Sequence, residues 1–246
     1  MLGTFGALVR TLVSRFLLIC IIIIFFIPLV VYLFLPQRIR YESKFFFNMV
    51  QLFYTLVLKV SLLKITYIGL ENLPDEPAIF AGNHQSSFDI PLMGVLTKGQ
   101  PHVWLALAAL MKSPVLRFVL PYIAVLVDTS SPWKAVRSLL QAMDIVKKHR
   151  MHIMIFPEGS RFAQDDDIHD FFGGFAILAK RTERQVVPVY IHGVNKVYPP
   201  NAFLVRNYPV TVVVGKPFRF SNGEDEELFK KRVHEWFIQQ AEGFKR

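Results

Sequence analysis

At 246 residues with a single cysteine, Cys20, the chain excludes an internal disulfide and gives no sign of an oxidising compartment. A formal charge of +9 calls for an anionic partner, either nucleic acid or a membrane surface. The 52% hydrophobic content and 23 Phe favour membrane lipid. No nucleic-acid partner is expected, because most Phe stand in apolar runs instead of alternating with basic residues.

The first element is Phe16 to Leu35, twenty residues without a charge, the length of a helix that crosses a hydrocarbon core. Arg10 and Arg15 flank one end; Arg38, Arg40 and Lys44 flank the other. This gives a slight bias toward a cytoplasmic carboxyl side, hence a body on the cytoplasmic face. The run is long for a signal peptide and no small-residue cleavage site follows it. Pro28 either kinks a spanning helix or marks the turn of a hairpin within one leaflet. Residues 36–44 carry the charged stretch that separates this segment from the body. Then Phe46, Met49, Val50, Phe53 and Leu56 recur at helical spacing within Phe45 to Leu63. They fit an amphipathic helix on the membrane or against the first segment, and equally a core helix of the body. The expected division is 1–64 as membrane-anchoring helices and 65–246 as an α/β domain.

Beyond residue 65, short apolar runs alternate with helical patterns. Ala78–Ala81, Val103–Leu107, Ile123–Val127, Ile153–Phe156, Val186–Ile191 and Val210–Val214 read as strands. Pro132–Lys148 is a helix with Ala135, Leu139, Ala142, Met143 and Val146 on one face and positive charge at its end. Phe175–Arg181 is a shorter helix. A last helix is expected to begin at Ser221, which has capping-box spacing to Glu224. The pattern predicts an α/β fold with a mostly parallel central sheet flanked by helices.

Two polar clusters follow strands, where α/β sheets carry their ligands. Gly82-Asn83-His84-Gln85-Ser86-Ser87-Phe88-Asp89 sets a histidine and a carboxylate five positions apart. On a regular helix that offset separates them by about 140°. They meet if His84 lies in the turn and Asp89 in the first helical turn, with Ser86 or Ser87 as N-cap. His84 would then exchange a proton near neutral pH, and Asp89 would fix its tautomer. The plainer reading makes them a loop histidine and a helix-start charge. Phe156-Pro157-Glu158-Gly159-Ser160-Arg161 is the second cluster. Arg161 suits an anion, with the Gly159–Ser160 amides beside it; a simple turn driven by Pro157 and Gly159 explains the same residues. Asp165, Asp166, Asp167, His169 and Asp170 form an acidic run of the kind that is usually solvated, so no metal is expected. No Gly-x-Ser-x-Gly elbow and no dinucleotide fingerprint occurs, and no cofactor is implied.

Together the two clusters identify a resemblance. Asn83 to Asp89 resembles the NHx₄D block of the glycerolipid acyltransferases, and Phe156 to Arg161 their FPEG(S/T)R block. Val187-Pro188-Val189 is similar to a later block, and the order and spacing fit. The family resembled is that of the 1-acylglycerol-3-phosphate acyltransferases, over about residues 65–220. An amino-terminal membrane helix pair also resembles its bacterial members. The resemblance implies acyl transfer from acyl-CoA or acyl-carrier protein to the free hydroxyl of a lysophospholipid, without an acyl-enzyme. It implies His84 as general base, Asp89 as its orienting partner, and Glu158, Gly159, Ser160 and Arg161 as the acceptor site. Two positions depart from the family. Thr129 ends Leu126-Val127-Asp128-Thr129 where an arginine is usual, and Phe172 precedes Gly173-Gly174 where a lysine is usual. Lys134 or Arg137 is a possible substitute in space. The departures leave room for another lipid acceptor, such as a lyso-ornithine lipid. A silent membrane-binding scaffold on the same fold is the alternative of a different class.

Overall fold

The computed structural model describes residues 2–113, 116–162, 167–198 and 203–245. In chain order these form helices α1 (Leu2–Leu33), α2 (Gln37–Glu42) and α3 (Lys44–Val60), then strands β1 (Ile65–Ile68) and β2 (Ile79–Gly82). Next come α4 (Asp89–Gly94), β3 (His102–Leu107), α5 (Leu116–Ile123), β4 (Ala124–Val127), α6 (Pro132–Lys148) and β5 (His152–Ile155). The chain closes with α7 (Gly174–Thr182), β6 (Val186–His192), α8 (Val194–Val197), β7 (Val210–Val214) and α9 (Glu226–Lys245).

The seven strands form one sheet in the order β1-β7-β6-β2-β5-β3-β4. Every pairing is parallel except that of β6 with β7. The mostly parallel α/β fold expected from the sequence is therefore present. Alternation across the central strands explains the two helical layers. Ile79 and Ala81 of β2 join a core with Leu139, Ala142 and Val146 of α6, Phe175 of α7 and Phe229, Val233 and Phe237 of α9. Ala78 and Phe80 join a second core with Leu58 of α3, Leu92 and Met93 of α4, and Val194 and Val197 of α8.

Helix α1 begins fourteen residues before the uncharged run and continues through Pro28, so neither break nor hairpin turn occurs there. At 32 residues it is about 48 Å long. The reversal comes after Leu33, and α3 returns antiparallel: Phe25 meets Phe53 edge-on at 5.4 Å, and Tyr32 stacks on Phe46. Gly6–Tyr32 is long and apolar enough to cross a membrane, and little of it is buried in the protein. Its amino-terminal part is nonetheless fastened to the body. Buried Thr11 accepts a hydrogen bond from Val205 N at 2.9 Å, while Arg10 and Arg15 donate to the carbonyls of Val205 and Phe203 at 2.8 and 2.7 Å. The arginines expected to flank a span thus grip a surface loop. Helix α3 satisfies both of its expected readings. It packs on α1 and buries Phe46, Phe47, Tyr54, Val57 and Leu58.

Several boundaries move. Strand β1 was not foreseen. The last helix begins at Glu226, because Asp225 caps it by accepting from Leu228 N at 2.7 Å. Ser221 and Glu224 instead close a preceding turn, in which Ser221 N donates to Glu224 Oε2 at 2.8 Å.

Candidate active site

Strands β2 and β5 are parallel neighbours, with Ala81 beside Ile155. Their carboxyl ends therefore bring residues 83–89 and 156–162 side by side despite seventy intervening positions. Asn83 anchors the first loop. Its side chain donates to Ile191 O at 2.9 Å and accepts from Ile191 N at 2.7 Å, so it behaves as one more rung of the β2–β6 ladder.

The loop then closes around one carboxylate oxygen. Asp89 is fully buried at the start of α4, and its Oδ2 accepts from Gln85 N and Ser86 N, each at 2.7 Å. The same oxygen lies 2.8 Å from His84 Nδ1. The expected serine cap is absent: no side chain caps α4, and Ser86 Oγ accepts from Phe88 N at 3.2 Å. What brings His84 to Asp89 is instead the carboxylate, which turns back to satisfy two loop amides that burial cuts off from water. Burial pushes the Asp89 carboxyl upward; the hydrogen bond and charge of His84, then the Ser86 and Gln85 amides, oppose that rise. With Nδ1–H committed to Asp89, His84 presents Nε2 as its free lone pair.

Three bonds join the second loop to the first. His84 N donates to Glu158 Oε1 at 3.1 Å, Phe162 N donates to His84 O at 2.8 Å, and Arg161 Nη1 donates to Ser87 Oγ at 2.6 Å. Glu158 is buried, whereas Ser160 and Arg161 are exposed. Glu158 therefore grips the histidine loop, and Arg161 is the cation at the surface. Gly159 has φ +67°, and a Cβ there would come 2.6 Å from the Phe172 ring. Phe172 is itself exposed and donates its N–H to Pro157 O at 2.8 Å.

Aromatic packing supplies what the motifs did not announce. The ring of Phe156 stacks on His84 with centroids 4.0 Å apart and planes within 9°. Trp104 stacks behind Phe156 at 5.4 Å. A strand tryptophan whose N–H needs a partner was the available signal. Other candidates fall elsewhere. Lys134 pairs with Asp128 at 3.6 Å beyond β4, three strands and about 14 Å from β2. In the acidic run, Asp167 pairs with Lys245 and His169 stacks on Phe162. Asp165 and Asp166 lie outside the described residues.

A family model described as Acyltransferase matches residues 64–192, just over half of the chain. The chain belongs to the acyltransferase family. It is 31% identical to a chloroplastic 1-acyl-sn-glycerol-3-phosphate acyltransferase of Brassica napus, over 63% of this chain and 45% of that one. It is 31% identical to a 1-acyl-sn-glycerol-3-phosphate acyltransferase of Borreliella burgdorferi, over 58% of this chain and 59% of the other. The match thus spans about half the length of these relatives. The crystal structure of PlsC, the 1-acyl-sn-glycerophosphate (LPA) acyltransferase of Thermotoga maritima, superposes with a TM-score of 0.75 at 23% identity. That alignment covers 100% of this chain and 99% of the other, and it establishes the fold. In this acyltransferase-family chain both motif loops fall within the matched span.

Proposed function

We propose that the protein transfers a fatty acyl chain from acyl-CoA or acyl-carrier protein to the free hydroxyl of 1-acylglycerol-3-phosphate, giving phosphatidic acid at a membrane surface. The observation that carries this reading is the His84–Asp89 contact at 2.8 Å, tied to the Arg161 loop through Glu158. His84 Nε2 takes the proton of the acceptor hydroxyl as the oxygen attacks the thioester carbonyl. Asp89 balances the imidazolium that forms. The tetrahedral intermediate collapses, the C–S bond breaks, and the imidazolium returns its proton to the leaving thiolate. No protein nucleophile takes part.

Exposed Arg161, with the Ser160 amide, binds the glycerol phosphate as a forked donor; the Gly159 N–H expected beside it instead donates to Phe156 O at 3.1 Å and closes the turn. Glu158 acts behind it and holds both loops in register. A lysophospholipid with a different head group is the second reading. It draws support from Phe172, whose exposed ring lies against Gly159 at the edge of this site.

Residues 1–64 anchor the catalytic part, 65–246, to lipid on the cytoplasmic face. The exposed apolar side of α1, from Phe16 to Val31, supplies the contact. The grip of Arg10, Thr11 and Arg15 on residues 203–205 holds the start of α1 against the body. This favours a helix pair embedded from one side over a free spanning helix.

The test is turnover by the purified protein in vesicles, with labelled acyl-CoA and acyl-carrier protein and a panel of lysolipids. Preferred acylation of lysophosphatidic acid supports the first reading. A larger head group preferred over it selects the second, and no turnover with any acceptor removes both.

A further inference from the structure

Two aromatic rings and a phenol connect His84 to helix α3. Phe156 stacks on His84 with ring centroids 4.0 Å apart and on Trp104 at 5.4 Å. Trp104 Nε1–H donates to Tyr54 Oη at 3.1 Å. Tyr54 Oη lies 3.3 Å from His102 Nε2, and His102 Nδ1 lies 3.0 Å from the Gln100 carbonyl. A carbonyl only accepts, so Nδ1 of His102 carries the proton and Nε2 receives the Tyr54 O–H. Tyr54 Oη thus accepts from Trp104 and donates to His102.

Beyond its covalent attachment, the hydrogen bond to Asp89 holds only one ring atom, Nδ1. Small changes in χ1 and χ2 would still tilt the imidazole plane and redirect Nε2. A ring stacked within 9° on one face removes that freedom. Proton transfer needs the base held to within about 10–20° of the productive direction. The same tyrosine also supports the other half of the dyad. Its ring lies against Gly94, where a Cβ would collide with it, and Gly94 ends the helix that begins with Asp89.

Resting on the reading of His84 as the proton acceptor, we propose that Phe156 and Trp104 are positioning residues that hold the imidazole plane, and that Tyr54 fastens this stack to the amino-terminal helix pair. The helix pair is then a support of the catalytic dyad as well as an anchor. Each of the three is proposed to act through His84.

The experiment pairs kinetics with a direct view of the ring, using the full chain in vesicles. Phe156→Leu is expected to lower kcat by about tenfold or more while KM for donor and acceptor stays within about twofold. Phe156→Tyr, which keeps the ring, restores most of the rate. Trp104→Phe keeps a stacking surface but loses the N–H, and Tyr54→Phe loses its acceptor; each is expected to lower kcat by about threefold. The ring is observed by ¹⁵N NMR of histidine-labelled protein, with the His84 signals identified by their loss in His84→Gln. Wild type should show the relaxation of a rigid imidazole and Phe156→Leu that of a more mobile ring, with Nδ1 protonated toward Asp89 in both. Unchanged ring mobility in Phe156→Leu, or a rate loss carried by KM, overturns the proposal. If wild type transfers no acyl chain, the acyltransferase reading fails, and the NMR comparison still decides whether the stack positions His84. A Tyr54→Phe variant with wild-type kcat removes α3 from the proposal.

Discussion

Oδ2 of Asp89 lies 2.8 Å from Nδ1 of His84 and accepts from two loop amides as well. Asn in place of Asp89 keeps the shape and one acceptor oxygen but removes the charge that balances an imidazolium. Asp89→Asn is therefore expected to lower kcat by about 10²–10⁴-fold. Because the buried carboxylate accepts from two loop amides and the imidazole, the amide should keep the fold at a lowered melting temperature, the charge-assisted bonds being weakened. Parallel measurement of turnover and thermal unfolding checks the split. A stable variant with full activity would remove Asp89 from the mechanism.

Arg161 is expected to act on the acceptor alone. Arg161→Ala should raise the acceptor KM by about tenfold or more, with the donor KM little changed. Arg161→Lys should recover only part of this, because a point charge replaces a planar fork. Steady-state kinetics with each substrate varied in turn gives the answer, and a shift confined to the donor would contradict the assignment.

Gly159 combines φ +67° with a ring where its Cβ would go. Gly159→Ala should cost about 1 kcal/mol in backbone strain and displace Phe172. Since Phe172 is exposed, the ring can swing aside, so Phe172→Ala in the same chain should relieve the contact but leave the backbone cost. Thermal melts of the two single variants and the double variant separate these contributions.

His102 and His152 face each other across β3 and β5, and burial holds both at about 4, below the usual 6.5. Both are neutral in the fold: His152 Nδ1 accepts from Ala78 N at 3.1 Å while its Nε2 lies 2.7 Å from Gln100 Oε1. Above pH 6.5 neither state takes up a proton there. As pH falls from 6.5 toward 4 the unfolded chain binds protons that the fold refuses, so stability is lost across that window. The loss is on the order of 1.4 kcal/mol per pH unit per histidine. Urea midpoints between pH 7 and 4.5 should fall steeply for wild type and less so for His102→Gln/His152→Gln. Equal slopes would show that other groups govern acid unfolding.

The sheet was legible because its central strands are continuous apolar runs buried on both faces, and β7 kept its expected bounds at Val210–Val214. Strand β1 was hidden: four residues at the sheet edge, half exposed, and meaningful only once β7 pairs with them. Of the two readings left open at Pro28, the hairpin turn does not occur, because local proline chemistry is outweighed by an apolar helix on either side. The motif residues were readable from type and spacing. Their support was not. Tyr54, Trp104 and Phe156 stand 50 and 52 residues apart; the pairing of β3 with β5 brings Trp104 and Phe156 together beside His84, and α3 adds Tyr54. The serine cap was a reasonable local inference, but the buried carboxylate had two loop amides and an imidazole to satisfy.

The proposed chemistry stands or falls on His84 as the base. Its most direct test is the acylation rate of lysophosphatidic acid by His84→Ala against wild type, in the same vesicles, with folding verified by thermal melts. The expected result is a loss on the order of a thousandfold with the melting temperature preserved. A folded His84→Ala protein that turns over within about tenfold of wild type would contradict the role assigned to this histidine.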